Sequence, residues 1–481
     1  MSQKKSLISE ITIEKFSKKG EGVAFDDNGN KIVIDNAIIG DVIVAELKKK
    51  RKGIIKGFLL EILTKSPLRD EPKCSHFEMC GGCRWQNLKY IEQLKQKENF
   101  VIQSFHDFIK TTNVELHKIL SSDEIFEYRN KMEFSFSQNQ KKTKFLGLIM
   151  KGKRFVIDIE RCYLAPAWFS KVLIEVKNWW EKFDFSAFNY FNGEGLLRSL
   201  TIKEGKNTQD KMVMLTLSDE KILSSIEKEE LIQYILNGIN SDDKISIFLC
   251  VQIAKKSQKT TFDVQNIYGQ KYITEILKIN TLNENIELKF QIGPMSFFQP
   301  NTHMAQKLYS TALNYLDKDE IKNSVVFDLY SGTGTIGMIL SKFVKKVIAI
   351  ELEKDACEMA KENMKLNDIK NFEILNGDVS NILDELISSK DFKNPDFENL
   401  DFAKPDLVIV DPPRCGLLEG AIKNILKILP QKIIYISCNP ITQAEDIKIL
   451  TENGYKLMIL HPVDQFSHTF HIENIAVLKR A

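Results

Sequence analysis

The chain lacks several features that would assign it to a class at once. No stretch of its 481 residues approaches the about 20 apolar residues that span a bilayer, and Met1–Ser6 is polar with no apolar signal segment after it. Lys and Arg number 67 against 65 Asp and Glu, so the net charge of +2 identifies no polyanionic partner. We therefore expect a soluble, cytoplasmic protein without a membrane partner.

Cysteine is scarce and unevenly placed. Eight cysteines in so long a chain exclude a disulfide scaffold, yet Cys74, Cys80 and Cys83 lie close together. They are separated by five and then two residues, and Cys162 lies far downstream. Such a three-plus-one set suits a [4Fe-4S] cluster or a tetrahedral zinc ion, and the spacing alone does not decide between them.

The length exceeds the about 100 to 200 residues of one domain and predicts a multidomain protein. Hydrophobic residues at 43% and charged residues at 27% exclude a disordered or collagen-like chain. Residues 1–65 alternate short apolar and polar stretches between glycines, which is typical of a small antiparallel OB-like β-barrel. Residues 66–292 mix short strands with polar helical stretches and predict an α+β central domain that contains the cysteines.

One amphipathic helix is predicted directly after Cys83. Apolar side chains recur there at mostly helical spacing, so we expect them to face the core. They are Ile91, Leu94, Val101, Phe105 and Phe108.

Residues 293–481 repeat an apolar strand, a turn and a helix, which predicts a Rossmann-like α/β domain with a parallel sheet. Its first strand runs into DLYSGTGTIG, in which Gly332, Gly334 and Gly337 match G-x-G-x-x-G. Glu351 ends the next strand, nineteen residues after Gly332, where an acid can accept hydrogen bonds from both hydroxyls of a ribose. This pattern alone suits a nicotinamide cofactor equally well.

Two further acids favour S-adenosylmethionine. Asp328 precedes the glycines, where a carboxylate meets a cationic amino-acid tail more readily than a pyrophosphate. Asp378 follows the third strand, where it can accept a hydrogen bond from an adenine amine. Ligand contacts in open sheets collect at successive carboxyl ends of strands, and these acids occupy such positions.

The fourth and fifth strands end in Asp411-Pro-Pro-Arg and Ser-Cys438-Asn-Pro. The prolines end both strands abruptly and direct Asp411 and Cys438 to one crevice. Carbon 5 of a pyrimidine is too weak a nucleophile to take a sulfonium methyl group until another nucleophile has added at carbon 6. We predict that Cys438 adds there, that Asp411 hydrogen-bonds the base ring, and that Asn439 and the helix opening near Thr442 help to ionise the thiol.

A base must then remove the proton from carbon 5 so that the cysteine can leave. Glu473, in the sequence HIEN before the last predicted strand, is the acid of that segment that can return to the crevice. His468 and His471 remain alternatives.

At these residues the chain resembles the RNA uracil-5-methyltransferases, specifically the branch with an N-terminal TRAM domain and an iron-sulfur cluster that modifies 23S ribosomal RNA. The resemblance extends over nearly the whole chain. It is carried by the barrel, the four cysteines, FFQPN (Phe297–Asn301), DLYSGTG, DPPR, SCNP and HIEN.

The resemblance implies specific roles for these residues. Cys438 would be the nucleophile and Glu473 the base, and a [4Fe-4S] cluster would be held by Cys74, Cys80, Cys83 and Cys162. The residues expected around S-adenosylmethionine are Gln299, Tyr330, Thr335, Glu351, Asp378 and Asp411.

RNA is the expected partner, and no feature indicates an obligate protein partner. The basic run Lys48–Lys52 lies between two predicted strands. It is either the tip of a hairpin that binds phosphates or a solvated loop. Arg84 and Trp85 offer a cation and a stacking face, although Trp85 suits the core equally. Phe297 and Phe298 suit either the core or packing against a base turned out of its stack.

Three other functions remain open from the residues. The same reaction on the T-loop uridine of transfer RNA uses the same chemistry. A non-catalytic RNA-binding or ribosome-assembly module would retain the fold, and a nicotinamide-dependent redox enzyme would use the glycine turn together with the metal cluster.

Overall fold

A computed structural model describes residues 7–219, 221–254, 260–388 and 404–481. The first six strands form one sheet in the order β1-β5-β6-β4-β3-β2. Its side chains alternate between a buried and an exposed face along β5, as the sequence pattern predicts. The pairs are antiparallel except for β4 and β6, which are parallel, so the expectation of a wholly antiparallel arrangement is wrong at that pair. The strands are β1 (Leu7–Thr12), β2 (Lys15–Phe16), β3 (Gly22–Phe25), β4 (Lys31–Ile34), β5 (Val42–Leu47) and β6 (Ile54–Thr64).

The basic run Lys48–Lys52 connects β5 to β6 and therefore lies in a hairpin loop, as predicted. Its cations border a groove of about 1580 Å³ that Phe25 and Phe58 also line. The ammonium group of Lys48 lies 5.1 Å from the centroid of the Phe58 ring.

The cysteine loop leads into helices α1 (Tyr90–Ser104) and α2 (His106–Thr111). Val101 and Phe105 are fully buried against the C-terminal sheet, as the helical spacing predicts. Ile91 was expected in the same stripe, but 58% of its surface is exposed. Gln93 and Lys97 are buried on this helix instead, because polar groups elsewhere in the fold satisfy them.

A seven-stranded sheet with the order β10-β9-β8-β11-β12-β13-β14 forms the centre of the chain. Helices α3 (Ala167–Lys182) and α4 (Ser225–Asn237) bury their apolar faces against it, and Trp179 and Trp180 are completely enclosed. The strands are β8 (Lys131–Gln138), β9 (Lys144–Ile149), β10 (Val156–Asp158), β11 (Leu197–Glu204), β12 (Lys211–Ser218), β13 (Ile245–Ile253) and β14 (Thr261–Tyr268). Four of them, β8, β11, β12 and β13, coincide with strand-like runs that the sequence predicts at residues 131–136, 196–202, 212–217 and 245–252.

The C-terminal sheet is doubly wound, with strand order β19-β18-β17-β20-β21-β23-β22-β7. Its first five strands are parallel, and β22 and β23 form the predicted antiparallel hairpin at one side. The predicted Rossmann-like arrangement is therefore confirmed. The strands are β7 (Glu115–Leu116), β17 (Val325–Leu329), β18 (Lys346–Glu351), β19 (Phe372–Asn376), β20 (Leu407–Val410), β21 (Lys432–Ser437), β22 (Tyr455–Val463) and β23 (Glu473–Arg480).

Helices and one further hairpin cover the two faces of this sheet. The hairpin of β15 (Ile273–Thr281) and β16 (Glu284–Ile292) packs into the same hydrophobic cluster as the helix that follows it. The helices are α5 (Thr302–Leu313), α6 (Lys318–Ile321), α7 (Thr335–Leu340), α8 (Lys354–Leu366), α9 (Val379–Ser388), α10 (Glu419–Ile428) and α11 (Pro440–Glu452). Within the described ranges no helix is long and apolar enough to cross a membrane.

The topology brings distant parts of the sequence to one edge of the C-terminal sheet. Parallel strands all end at the same edge, so the residues after β17, β18, β19, β20 and β21 meet there. Strand β23 runs the opposite way and begins at this edge. Its Asn474 pairs with Ser437, which places the adjoining Glu473 beside Cys438.

Candidate active site

The glycine turn after β17 is held in a shape that few residues adopt. Tyr330, Gly332 and Gly334 all have left-handed backbone angles, with φ of 61°, 57° and 77°. Asp328, at the end of β17, stabilises the segment after the turn, because its Oδ2 accepts a hydrogen bond of 2.9 Å from the backbone of Gly337. A methyl group on Gly337 would approach that oxygen to 2.7 Å, which explains why glycine stands there.

Glu351 connects the turn to the next strand. Its two carboxylate oxygens accept hydrogen bonds of 2.8 Å from the backbone of Gly332 and of Glu353. Asp378 is fixed in a similar way, because Oδ1 accepts from the backbone of Ser380 and Asn381 at the start of α9. Both carboxylates are therefore rigid acceptors at adjacent strand ends.

Buried polar groups of the turn are consistent with a bound nucleoside. In the described part of the chain, the hydroxyl group of Ser331 is enclosed without a hydrogen-bond partner. The Tyr330 hydroxyl is also enclosed, near the backbone of Leu418. Thr335 opens α7, with its hydroxyl 3.4 Å from that of Thr333. Together with the two rigid carboxylates, these groups fit the hydroxyl and amine donors of S-adenosylmethionine.

The acids beneath the crevice are poorly solvated. Burial raises the pKa of Asp328 to about 7, and repulsion from Asp411 and Glu351 adds to this effect. Burial also raises the pKa of Asp411 to about 7. A positively charged ligand would reduce the repulsion between these carboxylates and would therefore favour their ionised forms.

The DPPR and SCNP segments contact each other directly. The side-chain amide of Asn439 donates 2.9 Å to the backbone carbonyl of Arg414, and the hydroxyl of Thr442 donates 3.2 Å to the same carbonyl. Asn439 also caps α11 by accepting from the backbone of Ile441. These contacts occupy the side chains of Asn439 and Thr442, and α11 begins at Pro440, two residues after Cys438. Assistance to the thiol from Asn439 and from this helix start stays a prediction.

Arg414 provides a positive charge at the thiol. Burial raises the pKa of Cys438 to about 11, with further repulsion from Glu473 and Asp411, while the guanidinium of Arg414 acts in the opposite direction. The sequence contained this signal, because Arg414 belongs to the DPPR motif. Only the fold shows that its cation faces Cys438.

Glu473 is buried, with 5% of its surface exposed. Burial and then repulsion from Asp411 raise its pKa well above the ordinary value. A carboxylate of high pKa is a stronger base once it has ionised. Cys438, Glu473 and Asp411 thus form one electrostatically coupled group, as their strand ends predict.

The two histidines considered as alternative bases have other partners. His468 is buried, and its Nδ1 lies 3.2 Å from the side-chain amide of Gln93. His471 Nδ1 accepts a hydrogen bond of 3.0 Å from Arg414. Burial lowers the pKa of each histidine to about 4.

The FFQPN segment enters the site before α5. The side-chain amide of Asn130 donates 2.8 Å to the backbone carbonyl of Gln299 and so fixes the segment. Phe298 packs against Phe290 with 5.9 Å between ring centroids, whereas Phe297 has 64% of its surface exposed. Of the two phenylalanines, Phe297 is therefore the one available to a substrate base.

Tyr309 of α5 is a site residue that sequence reasoning missed. It is buried among Asp411, Glu473 and Asp328, and its hydroxyl interacts with the side chain of Gln299. Burial and these acids raise its pKa well above the ordinary value. Helical spacing places Tyr309 two turns after Asn301, but no motif distinguishes it from an ordinary core tyrosine.

The four cysteines converge although Cys162 is distant in sequence. Together with Arg129 they line one cavity of about 350 Å³. The backbone of Gly82 donates 3.3 Å to the sulfur of Cys80, and the side chain of Gln86 donates 3.1 Å to the sulfur of Cys83. Within the ranges that the structure describes, however, no three His, Cys, Asp or Glu side chains are grouped so as to hold a metal ion.

Burial keeps these thiols protonated in the absence of a ligand. It raises the pKa of Cys80 to about 11 and that of Cys83 to about 12, and it raises the pKa values of Cys74 and Cys162 in the same direction. The guanidinium of Arg129 opposes the shift at Cys83 and at Cys162.

Arg84 and Trp85 do not form the RNA-facing pair that the sequence suggested. Only 4% of Trp85 is exposed, and its indole donates 2.9 Å to the backbone of Gly20. Arg84 forms an ion pair with Asp35. Both residues fasten the cysteine loop to the N-terminal sheet, so the core alternative for Trp85 is confirmed.

The doubly wound sheet and the acid-lined glycine turn define a Rossmann-like methyltransferase fold that uses S-adenosylmethionine. A family profile described as tRNA (Uracil-5-)-methyltransferase matches residues 89–481. The chain belongs to this family of RNA methyltransferases.

Individual relatives agree with this assignment. An uncharacterised RNA methyltransferase of Protochlamydia amoebophila is 41% identical over 448 residues, which cover 92% of this chain and 98% of the relative. One from Clostridium acetobutylicum is 35% identical over 480 residues, covering 99% and 98%.

The fold also matches a solved structure. The Pyrococcus abyssi tRNA (uracil-54, C5)-methyltransferase in complex with S-adenosyl-L-homocysteine gives a TM-score of 0.71 at 24% identity. The match covers 98% of this chain and 100% of that one. The two proteins therefore share their domain architecture.

The charges around Cys438 predict how its reactivity depends on pH. Because its pKa is about 11, alkylation by iodoacetamide in the free protein should rise about tenfold per pH unit between pH 7 and 10. Arg414→Met should slow alkylation about three- to tenfold at any pH in this range, since the nearby cation is lost, whereas Arg414→Lys should retain most of the rate. Peptide mass spectrometry measures modification at residue 438, and equal rates for Arg414→Met and the unaltered protein would contradict the assignment.

Proposed function

We propose that this protein methylates carbon 5 of a uridine in RNA through a transient covalent bond between Cys438 and the base. The observation that carries the proposal is the convergence of Cys438, Glu473 and Asp411 at the edge that also holds the glycine turn. Methylation of an exocyclic nitrogen would need only an oriented lone pair, so a cysteine and a buried base would have no task there.

The first step activates the base. The thiolate of Cys438 adds to carbon 6, and the electrons of the 5,6 double bond move toward carbon 5 and the carbonyl oxygen at carbon 4. Arg414 favours the thiolate, and Asp411, whose pKa is raised to about 7, can hydrogen-bond the ring. Carbon 5 then forms a bond to the methyl group as the sulfonium carbon–sulfur bond breaks.

The second step releases the product. Glu473 takes the proton from carbon 5, the 5,6 double bond forms again, and the bond between carbon 6 and the sulfur of Cys438 breaks. Burial makes Glu473 suitable because it raises the basicity of the carboxylate. The methyl donor is expected to bind among Gln299, Tyr330, Thr335, Glu351, Asp378 and Asp411.

A covalent trap tests this mechanism. RNA that contains 5-fluorouridine offers no removable proton at carbon 5, so the unaltered protein should form an RNA adduct that resists denaturing gel electrophoresis. Cys438→Ser should abolish the adduct and lower turnover on ordinary RNA about 1,000-fold or more. Glu473→Gln should form the adduct and retain it on ordinary uridine RNA, since methyl transfer occurs but elimination does not.

Cys415 supplies the matched control for this experiment. It is an exposed thiol next to Arg414, and no step of the mechanism needs it. Cys415→Ser should form the adduct at the same rate as the unaltered protein. An adduct that persists in Cys438→Ser, or that maps to another cysteine, would eliminate the mechanism.

For the substrate, we propose 23S ribosomal RNA. The support is the resemblance to the branch with a TRAM domain and a cysteine cluster, together with the N-terminal sheet and its basic loop Lys48–Lys52. The Pyrococcus abyssi structure belongs to an enzyme named for uridine 54 of transfer RNA, and this substrate is the rival.

Mapping of 5-methyluridine by mass spectrometry distinguishes these substrates. RNA from cells that lack the gene should lose one or more 5-methyluridines from 23S ribosomal RNA, and the gene on a plasmid should restore them. Loss confined to position 54 of transfer RNA would support the rival substrate, and loss from neither RNA would contradict both. The same plasmid with Cys438→Ser should not restore the modification, which separates catalysis from a non-catalytic role in ribosome assembly.

For the cysteine cavity, we propose a [4Fe-4S] cluster held by Cys74, Cys80, Cys83 and Cys162. The support is the resemblance to the iron-sulfur branch together with the shared cavity that the four cysteines line. Four thiolates also suit tetrahedral zinc, which is the rival metal. Donors to the sulfurs of Cys80 and Cys83 and the cation of Arg129 suit an anionic cluster.

Metal analysis tests this assignment. Protein purified without oxygen should contain about four irons and four acid-labile sulfides per chain, and Cys80→Ser should lose most of both. Cys250→Ser is the matched control, because Cys250 is equally buried but packs in a separate hydrophobic cluster. Stoichiometric zinc without sulfide would contradict the cluster.

A further inference from the structure

The segment between β22 and β23, residues 464–472, is unusual because it is a connection that the fold buries. Asp464, Gln465 and Ser467 have no exposed surface, and His468 has 5%. Loops normally lie at the surface because their polar groups need partners. The segment ends at Glu473, so whatever satisfies its polar groups also fixes the position of that carboxylate.

Helix α1 supplies many of these partners from one face. Tyr90, Gln93 and Lys97 follow each other at intervals of three and four residues, which places them on the same side of the helix. Gln93 and Lys97 have 0% and 1% of their surface exposed. A buried lysine and a buried glutamine are unfavourable unless their polar groups are satisfied, so this face has a specific partner.

Each of the three side chains ends on the buried segment. The hydroxyl of Tyr90 donates 2.8 Å to Asp464, and the ammonium of Lys97 pairs with Asp464 and donates 2.9 Å to the carbonyl of Phe466. Gln93 accepts 2.8 Å from the backbone of His468 through Oε1.

The other end of Gln93 connects the segment to the cysteine loop. Its amide donates 2.8 Å to the carbonyl of Trp85, while the backbone groups of Arg84 and Trp85 donate 2.9 and 3.0 Å to the carbonyl of His468. His468 has φ of 63°, a left-handed angle that a residue with a side chain seldom adopts without external support. Gln93 therefore bonds both to this strained residue and to Trp85, one of the two residues that donate to its carbonyl.

We infer that Tyr90, Gln93 and Lys97 are positioning residues that place Glu473 for proton removal by fixing the buried segment before it. They touch neither the base nor the methyl donor. The inference rests on the proposed function, because it concerns the step in which Glu473 takes the proton from carbon 5 and the sulfur of Cys438 leaves carbon 6.

This role predicts that one step of the reaction is affected more than the other. Adduct formation depends on Cys438 and Arg414, which follow other strands. Arg414 contacts His471 of the segment, but its backbone carbonyl is held independently by Asn439 and Thr442. Elimination depends on Glu473. A displacement of about 1 Å in a reacting group can cost about 100-fold in rate. Loss of the α1 contacts should therefore slow elimination while adduct formation proceeds.

Gln93→Met is the main test, and Gln103→Met is its matched control on the exposed side of the same helix. With 5-fluorouridine RNA, Gln93→Met should form the adduct within about twofold of the unaltered rate. With ordinary uridine RNA it should turn over about 10- to 100-fold more slowly and accumulate a methylated adduct, as Glu473→Gln does. Gln103→Met should match the unaltered protein in both assays.

A double variant identifies the route of the effect. If Gln93 acts through Glu473, then adding Gln93→Met to Glu473→Gln should slow elimination no further than Glu473→Gln alone. If Gln93→Met does not fold, Tyr90→Phe removes only one hydroxyl and should give the same pattern to a smaller extent.

Three results would overturn the inference. They are equal losses of adduct formation and turnover in the folded variants, turnover of Gln93→Met equal to that of Gln103→Met, and full additivity in the double variant. The unaltered protein reports on the proposed function separately, because failure of that function removes its own adduct with 5-fluorouridine RNA.

Discussion

The common edge of the C-terminal sheet is the constraint on which the site depends. Five parallel strands end there, and an antiparallel sixth begins there, so six short segments that are distant in sequence meet within one crevice. Each segment contributes at least one chemical group. Hydrogen bonding of the strands fixes their register, and the register of Ser437 with Asn474 sets Glu473 beside Cys438 without any direct bond between the two side chains.

Burial of charge gives this edge its reactivity. Asp411 repels Asp328 and Glu473 in poorly solvated surroundings, and burial raises the pKa of all three carboxyls. Burial thus shifts the carboxyls and the thiol toward their neutral forms. Binding of a sulfonium cation would change that balance, so the arrival of the methyl donor and the activation of the nucleophile are electrostatically linked.

Buried polar contacts connect the rest of the molecule to this edge of the C-terminal sheet. Asn130 of the central unit holds the carbonyl of Gln299, and the polar face of α1 holds the segment before Glu473. The backbone after Cys83 bonds to that same segment. The cysteine loop and the proposed base thus share one support.

The sequence by itself determined the strand–turn–helix alternation, the glycine turn and the groups at the strand ends, because periodicity and short motifs are local properties. The strands Val325–Leu329 and Leu407–Val410 belong to this predicted alternation. The tertiary structure was needed to show that Arg414 faces the thiol, that Tyr309 enters the site, that Trp85 is buried and that α1 turns Gln93 inward and Ile91 outward. These outcomes depend on which partner lies opposite a side chain, and a partner several hundred residues away leaves no trace in local spacing.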